Sequence, residues 1–154
     1  MSLRVQLYDA FSGINFGEKS EVVKFLLKNS EECDDSTIRD AIDYALKNKP
    51  SFGGFIFTAW NASRPIAAVL VNKTGMSGFT PSYQMVYACL DDTSKEANKA
   101  LRDLVQRSIK SAKGDIGLHL KPDNPALPIF RSMGFQEQYL ELRFEQNIAA
   151  VSTG

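Results

Sequence analysis

The sequence has 154 residues, of which 44% are hydrophobic and 23% are charged, and its 18 basic residues balance 18 acidic ones. This composition is ordinary for one globular domain with a core of its own. Because there is no basic excess, the charge argues against a protein that binds nucleic acid by neutralising phosphates, and against one held electrostatically on a membrane. Two cysteines fit a reduced, cytoplasmic protein better than a disulfide scaffold.

The first part of the chain predicts one strand followed by two helices. Leu3–Tyr8 alternates apolar and polar residues, which predicts a strand, and it is too short to be the apolar part of a signal peptide. Residues 18–29 and 38–46 carry apolar residues at helical spacing, and Pro50 follows the second of these helices. We therefore expect the order β-α-α before residue 50.

The middle of the chain changes to the periodicity of strands. Residues 53–61 and 64–72 are apolar, aromatic and β-branched runs on either side of a short polar turn, which predicts an antiparallel hairpin. Residues 73–82 are rich in Gly, Ser, Thr and Pro, which predicts a loop. A loop of this length is more often functional than a minimal connector, and a merely wide hairpin connection is the alternative.

The second half predicts two strands joined by one long helix. The strands are expected at 83–90 and 116–121 and the helix at about 93–113, an arrangement that makes the strands parallel. A short helix follows, and the alternation across Phe135–Phe144 predicts a closing strand. Residues 146–154 are mostly small or polar and are expected to form a flexible tail.

These elements together predict a single α/β (α+β) domain at residues 1–145. The antiparallel strands come first and one parallel βαβ crossover follows, so the sheet is expected to be mixed and mostly antiparallel. Helices are expected to cover both of its faces.

This order resembles the GNAT superfamily of N-acetyltransferases over nearly the whole chain. The most specific part is LHLKPDN followed by a short helix and MGF, which is similar to the family's Leu-x-Val-x-x-x-Asn, helix and Gly-Phe signature. The residues on those signature positions are Leu118, Leu120, Asn124, Gly134 and Phe135. The hairpin also resembles the family's central pair of strands, and the two early helices resemble those that shape the acceptor side.

The resemblance implies acetyl-CoA as cofactor and direct transfer of its acetyl group to a primary amine of a small molecule or peptide. The pantetheine arm would pair with the edge of the 83–90 strand, and backbone N–H groups near its end would stabilise the oxyanion. The diphosphate would lie at the start of the helix near Thr93 or Ser94. The residues expected to contact the cofactor are Cys89, Leu90, Ser94, Lys95, Asn98, Lys99, Asn124 and Phe130.

The sequence departs from the family at two places. The family's glycine-containing phosphate loop is replaced by Thr93-Ser-Lys-Glu-Ala-Asn98, which has no glycine, and residues 91–99 carry two basic and three acidic residues. Thr93 and Glu96 instead have the spacing of a capping box, which would occupy N–H groups that a phosphate needs. Phe130 occupies the position where the family often has a tyrosine that protonates the leaving thiolate.

Other side chains are candidates for acid and base chemistry. Tyr87 and Tyr139 are the candidate acids, and Glu137 and Glu141 are candidate bases for an ammonium acceptor. A third hypothesis is that the thiol of Cys89 is a nucleophile activated by the single histidine, His119. A cysteine in a strand between apolar residues is, however, more often part of the core.

Two classes of function therefore remain open. The first is the acetyl-CoA-dependent N-acetyltransferase, and the second is a GNAT-fold binding or interaction protein that has lost CoA binding and catalysis. One histidine and two distant cysteines predict no metal site. A homodimer formed through an exposed last strand is compatible with the sequence.

Overall fold

The computed structural model describes residues 3–30, 33–48 and 53–146. The chain divides between Leu120 and Lys121 into two compact units, of which the first contains the sheet and three helices and the second contains one short helix. Within the described residues, no helix is both long and apolar enough to cross a membrane.

The first unit is built on a five-stranded sheet with the order β1-β2-β3-β4-β5. Every neighbouring pair is antiparallel except β4 and β5, which are parallel. This confirms the predicted mixed, mostly antiparallel sheet with one parallel crossover. The strands are β1 (Leu3–Tyr8), β2 (Gly54–Asn61), β3 (Arg64–Lys73), β4 (Tyr83–Leu90) and β5 (Ile116–Leu118).

The helices are α1 (Phe16–Asn29), α2 (Asp35–Ala45), α3 (Ala97–Ser111) and, in the second unit, α4 (Leu127–Ser132). Side-chain oxygens cap the first two: Asn15 accepts from the amide of Glu18, and Asp34 accepts from the amide of Thr37. Such caps satisfy N–H groups that have no partner inside a helix.

The core of the first unit has two layers, one on each face of the sheet. The α1–α2 layer is a cluster of buried side chains from both helices and the strands, comprising Tyr8, Val22, Val23, Phe25, Leu26, Ile38, Ile42, Ala45, Ile56, Trp60, Ala68, Leu70, Tyr87 and Cys89. Helix α3 contributes no residue to that cluster, and it contacts β2, β3 and β4. The prediction of helices on both faces is therefore confirmed.

The hairpin is confirmed as β2 and β3, joined by the two-residue turn Ala62–Ser63. Ala62 has a φ of 57°, in the left-handed region that tight hairpin turns require. The predicted loop spans 74–82, and Thr74 closes its neck, since its amide donates to the carbonyl of Ser82 and its hydroxyl donates to the carbonyl of Pro81.

Two predicted boundaries and one predicted strand were wrong. Helix α3 begins at Ala97 rather than near Thr93, and β5 ends at Leu118 rather than at residue 121. The strand predicted across 135–144 is not formed, because alternation alone does not supply the neighbouring strand that a β-strand needs for hydrogen bonding.

In that segment, the side chains predicted to form the apolar face of the strand are between 84% and 86% exposed, namely Leu140, Leu142 and Phe144. Tyr139, predicted on the other face, is 83% exposed. The predicted flexible tail begins at residue 146, and its residues 147–154 lie outside the described part of the chain.

Candidate active site

A β-bulge interrupts β4 at Val86. Along β3 and β4, Leu70 lies opposite Tyr87 but Val71 lies opposite Met85, so Val86 has no partner in this register. Residues directly opposite each other in an antiparallel pair point to the same face of the sheet. Tyr87 therefore shares the α1–α2 face with Leu70, whereas Met85 shares the α3 face with Val71.

The parallel pairing of β4 with β5 stops at the same place. Its last partners are Met85 and Leu118, while β4 continues to Leu90. We call residues Val86–Leu90 the distal β4 segment. Within the described residues, this segment pairs with β3 on one side and has no strand partner on the other.

The bulge also reverses the direction of the backbone groups. The amide of Tyr83 donates to the carbonyl of Asp115, on the β5 side, whereas the amide of Asp91 donates to the carbonyl of Ile66, on the β3 side, at 2.8 Å. Residues two apart in a strand direct their N–H and C=O groups to the same neighbouring strand. Cys89 lies two residues before Asp91, so its backbone groups are also hydrogen-bonded to β3. The N–H and C=O groups of Ala88 and Leu90 are then directed to the β5 side.

The loop after β4 is folded around the carboxylate of Asp91. Its Oδ1 accepts from the amide of Thr93 at 3.0 Å and from the Thr93 hydroxyl at 2.6 Å. These hydrogen bonds are the main cause of the lowered pKa of Asp91, with a smaller contribution from Lys28 and Arg64. The turn uses Thr93, one of the two residues assigned to a capping box, and Glu96 makes no capping hydrogen bond, so the prediction of a capping box was wrong.

The start of α3 has no side-chain cap. Glu96 is the N-cap and makes no capping hydrogen bond, and the hydroxyl of Ser94 lies 3.3 Å from the Glu96 carboxylate. The amides of Asn98 and Lys99 belong to the first turn, whose N–H groups have no acceptor within a helix. Ser94 therefore lies before the helix rather than on it.

Basic side chains surround this first turn. Lys95 and Lys99 are exposed, and Arg102 donates from Nε to the side-chain oxygen of Asn98 at 3.3 Å. The hydrogen bonds from Thr93 leave Asp91 ionised, so residues 91–99 keep their three acidic and two basic charges. Arg102 adds one positive charge just beyond them.

Tyr87 and Cys89 lie on the α1–α2 face, where both are buried. Burial raises the pKa of Tyr87 to about 12, with further contributions from Cys33 and Cys89, so the phenol keeps its proton at neutral pH. The sulfur of Cys89 lies 3.1 Å from the hydroxyl oxygen of Ser30. His119 is exposed beyond the end of β5, so the geometry gives no support to a Cys89–His119 pair.

In the second unit, Asn124 organises the turn before α4. Its side-chain oxygen accepts from the amide of Ala126 at 2.8 Å, and its carbonyl accepts from the amide of Leu127 at 3.1 Å. These two hydrogen bonds fix the turn that leads into α4. The ring of Phe130 packs edge-on against Phe135, with 5.4 Å between centroids.

The remaining acid and base candidates lie after α4. Tyr139 is 83% exposed. Glu137 is paired with Arg131, and Glu141 is paired with Arg143. Each of these carboxylates is therefore already engaged by an arginine.

Comparison with solved structures shows several acetyltransferases of similar fold. AAC(6')-Iy, solved with a bisubstrate analogue of CoA and monomethyl-acetylneamine, has a TM-score of 0.63 at 12% identity, over 96% of this chain and 99% of that chain. The NatC complex bound to Gag peptide and CoA has a TM-score of 0.69 at 16% identity, over 90% of this chain and 87% of that chain. A GNAT family acetyltransferase from Streptococcus pneumoniae TIGR4 has a TM-score of 0.61 at 11% identity, over 95% of this chain and 99% of that chain.

No model of a protein family matches this sequence, and no curated protein matches it either. The structural likenesses, at identities this low, show the fold and nothing finer. That fold is the one found in GNAT acetyltransferases, as the resemblance in the sequence predicted.

Proposed function

We propose that this chain is an N-acetyltransferase that uses acetyl-CoA and transfers the acetyl group directly to a primary amine. The observation that carries the proposal is the parting of β4 from β5 at the Val86 bulge. The bulge directs the backbone groups of Ala88 and Leu90 to a side where no strand of the described part of the chain accepts them. Solved proteins of the same fold were crystallised with CoA or with a CoA analogue, which supports acetyl-CoA as the cofactor here.

The distal β4 segment suits the amide-containing arm of CoA. An extended arm can hydrogen-bond to a strand edge as an added strand does. The N–H of Leu90 or Ala88 would then meet the thioester carbonyl and stabilise the negative charge that develops on its oxygen during attack by the amine. A backbone donor is well suited to this role, because the sheet holds it in place before the reaction begins.

The first turn of α3 is our proposed site for the phosphates. The N–H groups of Asn98 and Lys99 point out of the start of the helix, where an anion can accept hydrogen bonds from them. Positive charge comes from Lys95, Lys99 and Arg102. The loop lacks glycine, so its backbone approaches a phosphate less closely than a glycine loop would. We therefore assign more of the phosphate binding to the side chains.

Transfer forms a bond between nitrogen and the acyl carbon and breaks the bond between that carbon and sulfur. The amine loses a proton and the leaving sulfur gains one. Tyr87 is our candidate for the acid, because its phenol lies on the β4 segment that follows the bulge. Tyr139 is the second candidate, and Phe130 has no proton to give.

The alternative is a binding or interaction protein with the same fold and no CoA. The loop from Asp91 to Glu96, which has no glycine and is closed by the Asp91–Thr93 hydrogen bonds, favours that alternative. We rank it second because the distal β4 segment keeps the arrangement that acyl transfer needs. A cytoplasmic location and a homodimer remain part of the proposal.

The proposal is tested by incubating the protein with acetyl-CoA and a panel of primary amines, small molecules and short peptides. Released CoA is followed with a thiol reagent, and acetylated product is identified by mass spectrometry. We expect amine-dependent release of CoA. No product from any member of the panel, together with no binding of acetyl-CoA, would favour the alternative.

A further inference from the structure

A cavity of about 170 Å³ lies between α1, the beginning of β3 and the residue that follows β4. Its floor includes the buried ring of Phe25. Charged side chains of both signs surround it, namely Glu21, Lys24, Lys28, Arg64 and Asp91. The sequence predicted no role for Glu21, Lys24, Lys28 or Arg64, and it gave no sign that they lie near Asp91, which is 70 positions from Glu21 along the chain.

The positive charge in this cavity is not fully neutralised by the protein. Lys24 lies 3.7 Å from Glu21, and Arg64 lies 3.9 Å from Asp91, so both pairs are long and both cations keep donors for another partner. Among the described residues, Lys28 forms no ion pair within 4.0 Å. Three cations and two carboxylates give the lining a net charge of +1.

The carboxylate of Asp91 is less available to a ligand than its position suggests. One of its oxygens already accepts two hydrogen bonds from Thr93. Asp91 is also close enough to Lys28 and Arg64 for both to contribute to its charge stabilisation. Asp91 stays ionised and offsets part of the charge of these two cations, so the attraction for an anion comes from the net charge of +1 of the lining.

The cavity lies at the end of the distal β4 segment, on the face opposite α3. Asp91 directly follows Leu90, and the alternation along β4 places its side chain on the same face as Tyr87 and Cys89. A ligand in the cavity would therefore approach the end of β4 from the α1 side, while the proposed phosphate site is at the start of α3 on the other side.

We propose that this cavity binds a carboxylate of the amine acceptor through Lys28 and Arg64, with Lys24 at its rim. The acceptor class is then an acidic peptide or another amine with a carboxylate near it. This inference rests on the proposed acetyltransferase function and specifies the acceptor that the same site takes.

Binding of the acceptor is measured first, without cofactor, by fluorescence anisotropy. Two pentapeptides with a free amino terminus and a C-terminal label are compared, one with Asp and one with Lys at its second and third positions. We expect the acidic peptide to bind more tightly, and we expect Lys28→Gln and Arg64→Gln each to weaken it on the order of fivefold. Lys110→Gln, which removes a lysine from the last turn of α3, is the matched control and leaves the affinity unchanged.

The double variant Lys28→Glu and Arg64→Glu is the decisive arm. Its thermal melting first shows that it is folded, and we then expect the preference to reverse in favour of the lysine peptide. Equal binding of the two peptides by the native protein, or an unchanged preference in the double variant, overturns the inference. Acetylation of peptides without any acidic preference overturns it while leaving the proposed function intact. Tight binding of the acidic peptide without acetylation would instead contradict the proposed function.

Discussion

Met85 is the last residue of β4 that pairs with β5, and its partner Leu118 is the last residue of β5. The next residue along β4 is Val86, which the bulge leaves without a partner on β3. The parting of the two parallel strands and the reversal of backbone direction therefore occur at one point. Beyond it, Ala88 and Leu90 present hydrogen-bonding groups to a side that has no strand among residues 3–30, 33–48 and 53–146, and the proposed chemistry depends on these groups.

The first prediction concerns the direction of the Leu90 N–H group. Leu90→Pro removes an N–H that is directed away from β3, so we expect the protein to fold and the rate of acetyl transfer to fall about 100-fold to 1,000-fold, as when an oxyanion donor is lost. Steady-state kinetics and thermal melting measure the two effects.

The matched control for this change is Cys89→Pro. It introduces the same ring one residue earlier and removes an N–H that is hydrogen-bonded to β3, so we expect it to destabilise the fold strongly. If Cys89→Pro were the better tolerated of the two in melting, the assignment of backbone directions would be wrong.

The second prediction compares the two tyrosines. Tyr87→Phe removes a buried phenol and should lower kcat about 100-fold if that phenol protonates the leaving sulfur. Tyr139→Phe changes a side chain that is 83% exposed and should leave kcat unchanged. The opposite ranking would move the acid to Tyr139, and no effect of either change would show that water supplies the proton.

The third prediction concerns Cys89, whose sulfur contacts Ser30 inside the α1–α2 layer. Cys89→Ala removes a small buried side chain and should cost about 1 kcal/mol of stability. Because transfer is direct in our account, kcat should be unchanged. Loss of activity in a folded Cys89→Ala protein, together with an acetyl group trapped on Cys89 of the native protein, would establish a cysteine nucleophile.

The fourth prediction concerns the pH dependence of stability. The pKa of Asp91 is lowered from its ordinary value of 3.8, chiefly by Thr93. The ionised carboxylate therefore adds stability above that value, and this stability is lost as the pH falls through the lower pKa of the folded state. Asp91→Asn should lower the melting temperature at neutral pH and converge with the native protein in acid. Parallel melting curves from pH 7 to about pH 2.5 would show that Asp91 adds no such stability.

Local patterns were sufficient to predict most of the fold. The alternation in the two runs flanking Ala62 predicted the hairpin, and one long amphipathic segment between two apolar runs predicted the parallel crossover. Both depend on residues close in sequence. The bulge at Val86 left no such signal, because YQMVYACL has the composition of an uninterrupted strand and only the register against β3 identifies the extra residue.

The predictions of element boundaries and of charge clusters failed for a different reason. Both depend on contacts between residues that the pattern of the sequence does not show. Thr93 was expected to cap α3, but its hydrogen bonds go to Asp91, and the helix begins at Ala97. Lys28 and Arg64 come together with Asp91 only because α1 lies across the end of β3. The apolar alternation through Leu140 and Leu142 predicted a strand that the structure does not form.

The central claim, that the chain binds acetyl-CoA beside β4 and α3, is tested most directly by thermal melting with and without acetyl-CoA. Ligand at about 100 times its dissociation constant should add about 2.7 kcal/mol, which is a rise of roughly 5 °C or more for a chain of this size. Lys95→Glu with Lys99→Glu should abolish the rise, whereas Lys110→Glu should retain it. An unchanged melting temperature of the native protein at millimolar acetyl-CoA would contradict the account.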